Sequence, residues 1–268
     1  MNLPDCQTLL LAKQDGVLHI TLNRPDSRNA MNLNMLEELI EVLTCASGDP
    51  QLRAIVLRGA DGHFCAGGDI KDMANARAMG KSAYTQLNRH FGRLLEQAEQ
   101  QPQVLVVVLE GTVLGGGLGL ACVSDIALCL ETARFGLPET SLGVIPAQIA
   151  PFVVKRIGLT QARRLALTAA RFDGAEALQL GLVHHSAKDA AQLQAHLDRY
   201  LKQIRQCAPQ ANARTKALLL ACGEQSMHSL LDQAAEAFAE SVTGAEGAEG
   251  TQAFIQKRAP SWANNQLG

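Results

Sequence analysis

The sequence predicts an α/β fold, and three observations carry that reading. Short apolar runs of strand character recur at Val17–Leu22, at 54–57, at Val104–Leu109 and at Ile126–Leu130, separated by stretches of helical periodicity. Two of these runs lead straight into glycine-rich segments. Beyond about residue 160 the pattern becomes helical. The strands are short and unevenly spaced, so no regular barrel is expected.

Taken in order, Val17–Leu22 alternates, with Leu18, Ile20 and Leu22 on one side and His19 and Thr21 on the other, the signature of a half-buried strand. Asn23-Arg24-Pro25-Asp26 breaks it. Asn32 or Asn34 can cap a helix whose Met35, Leu36, Leu39, Ile40 and Leu43 share a face. Asp49-Pro50 ends that unit, and 54–57 forms a buried strand closed by Arg58-Gly59-Ala60-Asp61-Gly62. Val104–Leu109 repeats the rhythm as strand, glycine-rich turn and a helix through Ala121. Thr160 can cap a helix through Leu167, and Asp173 with Glu176 forms an aspartate version of the capping box for a helix stopped at Gly181. From Lys188 three or four more helices follow, with breaks near Pro209, Gly223 and 244–250. Residues 1–200 are read as the core that holds the site and 201–268 as a helical region for oligomerisation.

Composition narrows the function. The 268 residues carry a net charge of −2, with 47% hydrophobic and 19% charged residues, enough for a sizeable core and ordinary for a globular protein. No basic block or arginine stripe points to nucleic acid. Seven cysteines, an odd number without C-x-x-C spacing, argue against a disulfide framework or a zinc site and for a reducing compartment. The N-terminus shows no secretory pattern and no apolar run approaches the ~18 residues of a membrane span. A cytoplasmic protein without a membrane partner is expected. His63, His90, His184 and His185 lack metal-ligand spacing and are read as surface or packed side chains, so no metal is expected.

Three segments could carry chemistry. His63-Phe64-Cys65-Ala66-Gly67-Gly68-Asp69-Ile70-Lys71 follows the second strand, and its small residues allow a ligand close to the backbone; alone, it reads equally well as a tight loop. Gly111-Thr112-Val113-Leu114-Gly115-Gly116-Gly117-Leu118-Gly119 follows a buried strand and opens a helix, a natural place for backbone N–H groups to meet negative charge. It is not a dinucleotide fingerprint, because the third glycine position falls on Leu120 or Cys122, and no Gly-Lys-Ser/Thr makes it a phosphate loop. Ala133-Arg134-Phe135-Gly136-Leu137-Pro138-Glu139 is the third; a glutamate after proline is, by itself, an ordinary first-turn residue.

Together with RPDSRNAMN before them and DGAEALQLGLVH after, these segments resemble the crotonase (enoyl-CoA hydratase/isomerase) superfamily in order and spacing over roughly residues 10–260. The resemblance implies a spiral of ββα units followed by a helical C-terminal region, assembled as a homotrimer or homohexamer. It implies a coenzyme A thioester as substrate and no separate cofactor. By position, the backbone N–H groups of Gly68 and Gly116 match the oxyanion hole that holds the thioester oxygen, where one such donor is worth ~3 kcal/mol. Ala30, Ala66 and Ile70 match positions along the coenzyme A groove, Arg24, Arg28 and Lys71 are phosphate or adenine neighbours, and Phe254 and Lys257 match C-terminal coenzyme A contacts.

One departure shapes the functional reading. Hydratases of the family carry two glutamates; here the second is Glu139, but the first position is Gly119. A hydratase for a bulkier substrate is one consequence, with Gly119 expected to open pocket space near the β-carbon. The stretch 143–154 also resembles bacterial isohexenylglutaconyl-CoA and methylglutaconyl-CoA hydratases, of acyclic terpene and leucine degradation. A Δ3,Δ2-enoyl-CoA isomerase needs only one carboxylate to move a proton between carbons, and a non-catalytic binding protein on the same fold is the third reading.

Overall fold

The computed structural model describes residues 3–69, 72 and 80–264. β1 (Leu9–Gln14) and β2 (Val17–Leu22) form an antiparallel hairpin about Asp15 and Gly16, whose φ values of 49° and 72° suit a two-residue turn of the hand that matches strand twist. β3 (Ala54–Gly59), β4 (Val104–Leu109), β6 (Ile126–Leu130) and β9 (His185–Ala187) extend the sheet in parallel, in the order β1-β2-β3-β4-β6-β9. A small second sheet joins β5 (Thr112–Leu114), β7 (Arg134–Gly136) and β8 (Arg171–Asp173). The short strands β5, β7, β8 and β9 and the hairpin strand β1 add to the elements that the apolar runs predict.

Alternation within the strands builds two layers. On β4, Leu105, Val107 and Leu109 enter the main core with Leu18, Ile20, Ile55 and Cys129, while Val106 and Val108 point the other way with Val56 and Leu128. The main core is covered by α1 (Leu33–Ser47), α2 (Lys81–Glu99) and α3 (Gly116–Cys122). Asn32, not Asn34, caps α1 by accepting from Met35 N at 3.0 Å. α4 (Ala150–Thr168) begins ten residues before the predicted Thr160 cap; Pro151 suits its first turn, and Gly158, at φ 76°, interrupts it. α5 (Gly174–Gln179) starts as predicted, with Asp173 accepting from Glu176 N at 3.0 Å. On the opposite face α6 (Ala190–Arg205) lays Leu193, Leu197, Leu201 and Ile204 on the sheet, so sheet packing continues to residue 204.

α7 (Pro209–Leu220), α8 (Met227–Thr243), α9 (Ala245–Ile255) and α10 (Ser261–Asn264) follow. Lys216 ties α7 to the core: Nζ donates to Gln101 O and Gln103 O at 2.7 Å each and pairs with Asp125 at 2.5 Å. No helix among the described residues is long and apolar enough to cross a membrane.

Candidate active site

The two glycine segments are stitched together by main-chain bonds. Cys65 N donates to Thr112 O at 2.9 Å and Leu114 N to Cys65 O at 3.0 Å, so β5 and the 63–68 segment run side by side. Gly68 bridges Met31, with Met31 N donating to Gly67 O at 2.8 Å and Asp69 N to Met31 O at 3.0 Å. A side chain has no room in this weave: a β-carbon on Gly117 would lie 2.8 Å from Cys65 Cβ. Among the described residues neither Gly68 N nor Gly116 N donates to a backbone acceptor, and Gly116 stands in the first turn of α3, where N–H groups have no intrahelical partner.

Glu139 arrives from the small sheet. β7 runs parallel to β5, and Gly115 N donates to Gly136 O at 3.1 Å, which fixes the Pro138-Glu139 turn against the triple glycine. Gly115 has φ 49°, and a β-carbon there would sit 2.9 Å from Glu139 Oε1. Glycine is therefore needed twice at Gly115, for its backbone conformation and for the carboxylate's approach. The Oε2 atom of Glu139 is buried without a hydrogen-bond partner. Burial raises the Glu139 pKa above the ordinary glutamate value, against the opposing pull of its own backbone N–H and of Arg171.

Gly68, Gly116 and Glu139 line one cavity of about 460 Å³. Its wall is apolar at Met31, Leu36, Phe91 and Ile149, and polar at Lys81, Tyr84, Asn88 and Gln148, where Gln148 Nε2 donates to Asn88 Oδ1 at 3.0 Å. Sequence reasoning did not single out Gly115 or Ile149. The triple glycine signals the first; the second has no local signature.

The other predicted residues that the structure describes are not in the lining of this cavity. Arg24 pairs with Asp69 at 2.9 Å and donates to Ala30 O, so its charge holds the loop that carries Gly68. Arg28, exposed and at φ 51°, accepts from Ala66 N through its carbonyl, placing Ala30 and Ala66 beside the same loop. Phe254, 87% exposed, and Lys257 stand at the end of α9. Ile70 and Lys71 lie outside the described residues. Gly119 needs a correction: it is buried in α3 and opens no pocket space, because Ile149 occupies the region its side chain would enter. His63 and His184 each accept a backbone N–H through Nδ1, from Thr112 and from Ala127. Among the described residues no cluster of His, Cys, Asp or Glu is arranged to hold a metal.

A sheet layered with helices thus brings together two aligned glycine turns, whose Gly68 and Gly116 N–H groups meet no backbone acceptor among the described residues, and the half-buried carboxylate of Glu139. The chain belongs to the enoyl-CoA hydratase/isomerase family, a branch of the crotonase superfamily, whose family model matches residues 12–265. It is 66% identical to Pseudomonas aeruginosa AtuE, a solved structure superposing with a TM-score of 0.94 over 96% of this chain and 100% of that one. An enoyl-CoA hydratase/isomerase from Marinobacter aquaeolei is 56% identical, with a TM-score of 0.95 over 97% and 100%. The 2,3-dehydroadipyl-CoA hydratase of Escherichia coli is 30% identical over 261 residues, 95% of this chain and 98% of that protein.

Proposed function

We propose that the protein adds water across the 2,3 double bond of a branched glutaconyl-type enoyl-CoA, with isohexenylglutaconyl-CoA the favoured substrate. The observation that carries this reading is the meeting of Gly68 and Gly116 in one cavity with Glu139, whose Oε2 is buried without a partner, whereas Asp69 in the same lining is paired with Arg24. The thioester oxygen sits between the two N–H groups. Glu139 takes a proton from a water molecule as its oxygen attacks the β-carbon; the π electrons move onto the thioester oxygen as enolate, which the N–H groups stabilise. The proton then passes from Glu139 to the α-carbon, which restores the thioester. A carboxylate with a raised pKa suits both halves of this transfer. Lys81 lines the cavity and offers a cation to an acyl group bearing a second carboxylate, while the two aspartates of the lining are engaged elsewhere, Asp69 with Arg24 and Asp72 with Leu33 N. The Escherichia coli relative bears a name that describes such a group. Coenzyme A would lie along the loop of Arg24, Arg28, Ala30 and Ala66, with Lys71, Phe254 and Lys257 toward its nucleotide end. A homotrimer or homohexamer in the cytoplasm is the expected form.

The test is a coupled hydration assay on isohexenylglutaconyl-CoA, 3-methylglutaconyl-CoA and crotonyl-CoA. Rapid hydration of a branched glutaconyl thioester with crotonyl-CoA poor is expected. The presence of Glu139 with glycine at 119 also favours a second reading, Δ3,Δ2 isomerisation: conversion of a 3-enoyl-CoA without hydration of any 2-enoyl thioester would replace the first.

A further inference from the structure

The position at which relatives with two glutamates carry the first of them is not empty here. A β-carbon built on Gly119 would lie 2.1 Å from Ile149 Cγ2, with Ile149 Cβ and Leu95 Cδ1 each at 3.4 Å. The close atom is a methyl on a β-branched carbon. One χ1 rotation brings Cγ1 into the same region and the other turns the hydrogen there, but a β-branched side chain is restricted at χ1, so leaving its present well is costly. Ile149 is 4% exposed, and its backbone is held on both sides: its N–H donates to Pro146 O at 3.2 Å and its carbonyl accepts from Val153 N at 3.0 Å. Leu95 behind it is fully buried. Ile149 also lines the cavity that holds Glu139, while Gly119 does not.

We infer that Ile149 is a specificity-determining residue that closes the site's second acid–base position, so that a carboxylate at residue 119 is excluded and proton transfer falls to Glu139 alone. The pair is an interlock: isoleucine at 149 requires glycine at 119. The wall it presents is apolar and holds no water by hydrogen bonding. A short unbranched enoyl thioester, which offers no polar group of its own to orient a water, is then a poor substrate. An acyl group with a second carboxylate brings its own polar contact. This rests on the proposed hydration chemistry, but the interlock itself is independent of it.

The experiment compares wild type, Gly119→Glu, Ile149→Gly and the double variant for crotonyl-CoA hydration and thermal stability. The double variant is expected to exceed both wild type and Ile149→Gly by at least about tenfold, a modest share of the 10²–10⁴ that one positioned proton-transfer group supplies. Adding Glu139→Gln should then cost at least about tenfold less in the double variant than in wild type. Gly119→Glu alone is expected to lose stability without gaining turnover. A gain equal to the double variant's from Gly119→Glu alone, at unchanged Tm, would overturn the inference. So would a folded double variant with no gain. Gly119→Ala provides a reading free of catalysis: its Tm should fall by several degrees in wild type and recover when Ile149→Gly is added. No fall means the position is open and Ile149 does not close it. If wild type hydrates none of the branched thioesters, the proposed function fails while this stability cycle still decides the interlock.

Discussion

Glu139 joins two demands that usually conflict, a charge and a half-buried position. Its raised pKa follows first from burial, so the folded chain binds the proton more tightly than the unfolded chain. Stability is therefore lower above the folded pKa and recovers as pH falls through the window between the folded and ordinary values. Glu139→Gln should melt higher than wild type at pH 8, with the difference fading toward pH 4, in scanning calorimetry across pH. Its turnover should fall by about 10² or more, and the acid limb of wild-type kcat/KM should lie above the ordinary glutamate range near 4.3. Gly115→Ala meets both a φ of 49° and the carboxylate 2.9 Å away, so it should lower kcat sharply with smaller change in coenzyme A affinity. That Gly68, Gly116 and Glu139 share one cavity was legible because three motifs together resemble the family pattern. The role of Ile149 was not, because it is a contact across 30 residues of chain with Gly119.

Among elements, legibility followed length and periodicity. β4 and α1 announce themselves by six apolar residues in a row and by a capped helical stripe. β1 reads LLLAKQ and turns polar toward the hairpin, so it carries no alternation; the Asp15-Gly16 pair is the signal that marks it. β5, β7, β8 and β9 have three residues each, too few to show a period, and only tertiary pairing makes them strands. The start of α4 was hidden because a glycine with φ 76° separates it from the stretch that looks helical. At this scale the Lys216 clamp makes a prediction. Its ammonium is mostly buried and shared among two carbonyls and Asp125, whose carboxylate also accepts from Leu105 N at 2.7 Å. Lys216→Met leaves that carboxylate without its counter-charge and the two carbonyls without the ammonium donor, and should destabilise by about 3 kcal/mol, read from denaturant unfolding. Replacing exposed Lys202 in the same way should change little.

For the molecule as a whole, the C-terminal helices leave apolar side chains uncovered. Leu219, Met227, Leu231, Phe238 and Phe254 are each 60% exposed or more, well beyond scattered surface leucines. The expected homotrimer or homohexamer would cover them. Phe238→Asp should then shift the mass measured by light scattering toward the single chain, while Leu10→Asp, on the opposite β1 edge, should leave it unchanged.

The donors at Gly68 and Gly116 belong to the main chain, and this bears on how such a protein can change. A side-chain replacement can displace a peptide N–H, but only proline removes it. In the proposed reaction, the group that meets the developing negative charge is thus sheltered from most single-codon changes. Met31, Phe91, Gln148 and Ile149, which shape the acyl pocket, enjoy no such shelter. Descent with modification can therefore try new acyl groups along the walls while the enolate chemistry is inherited intact.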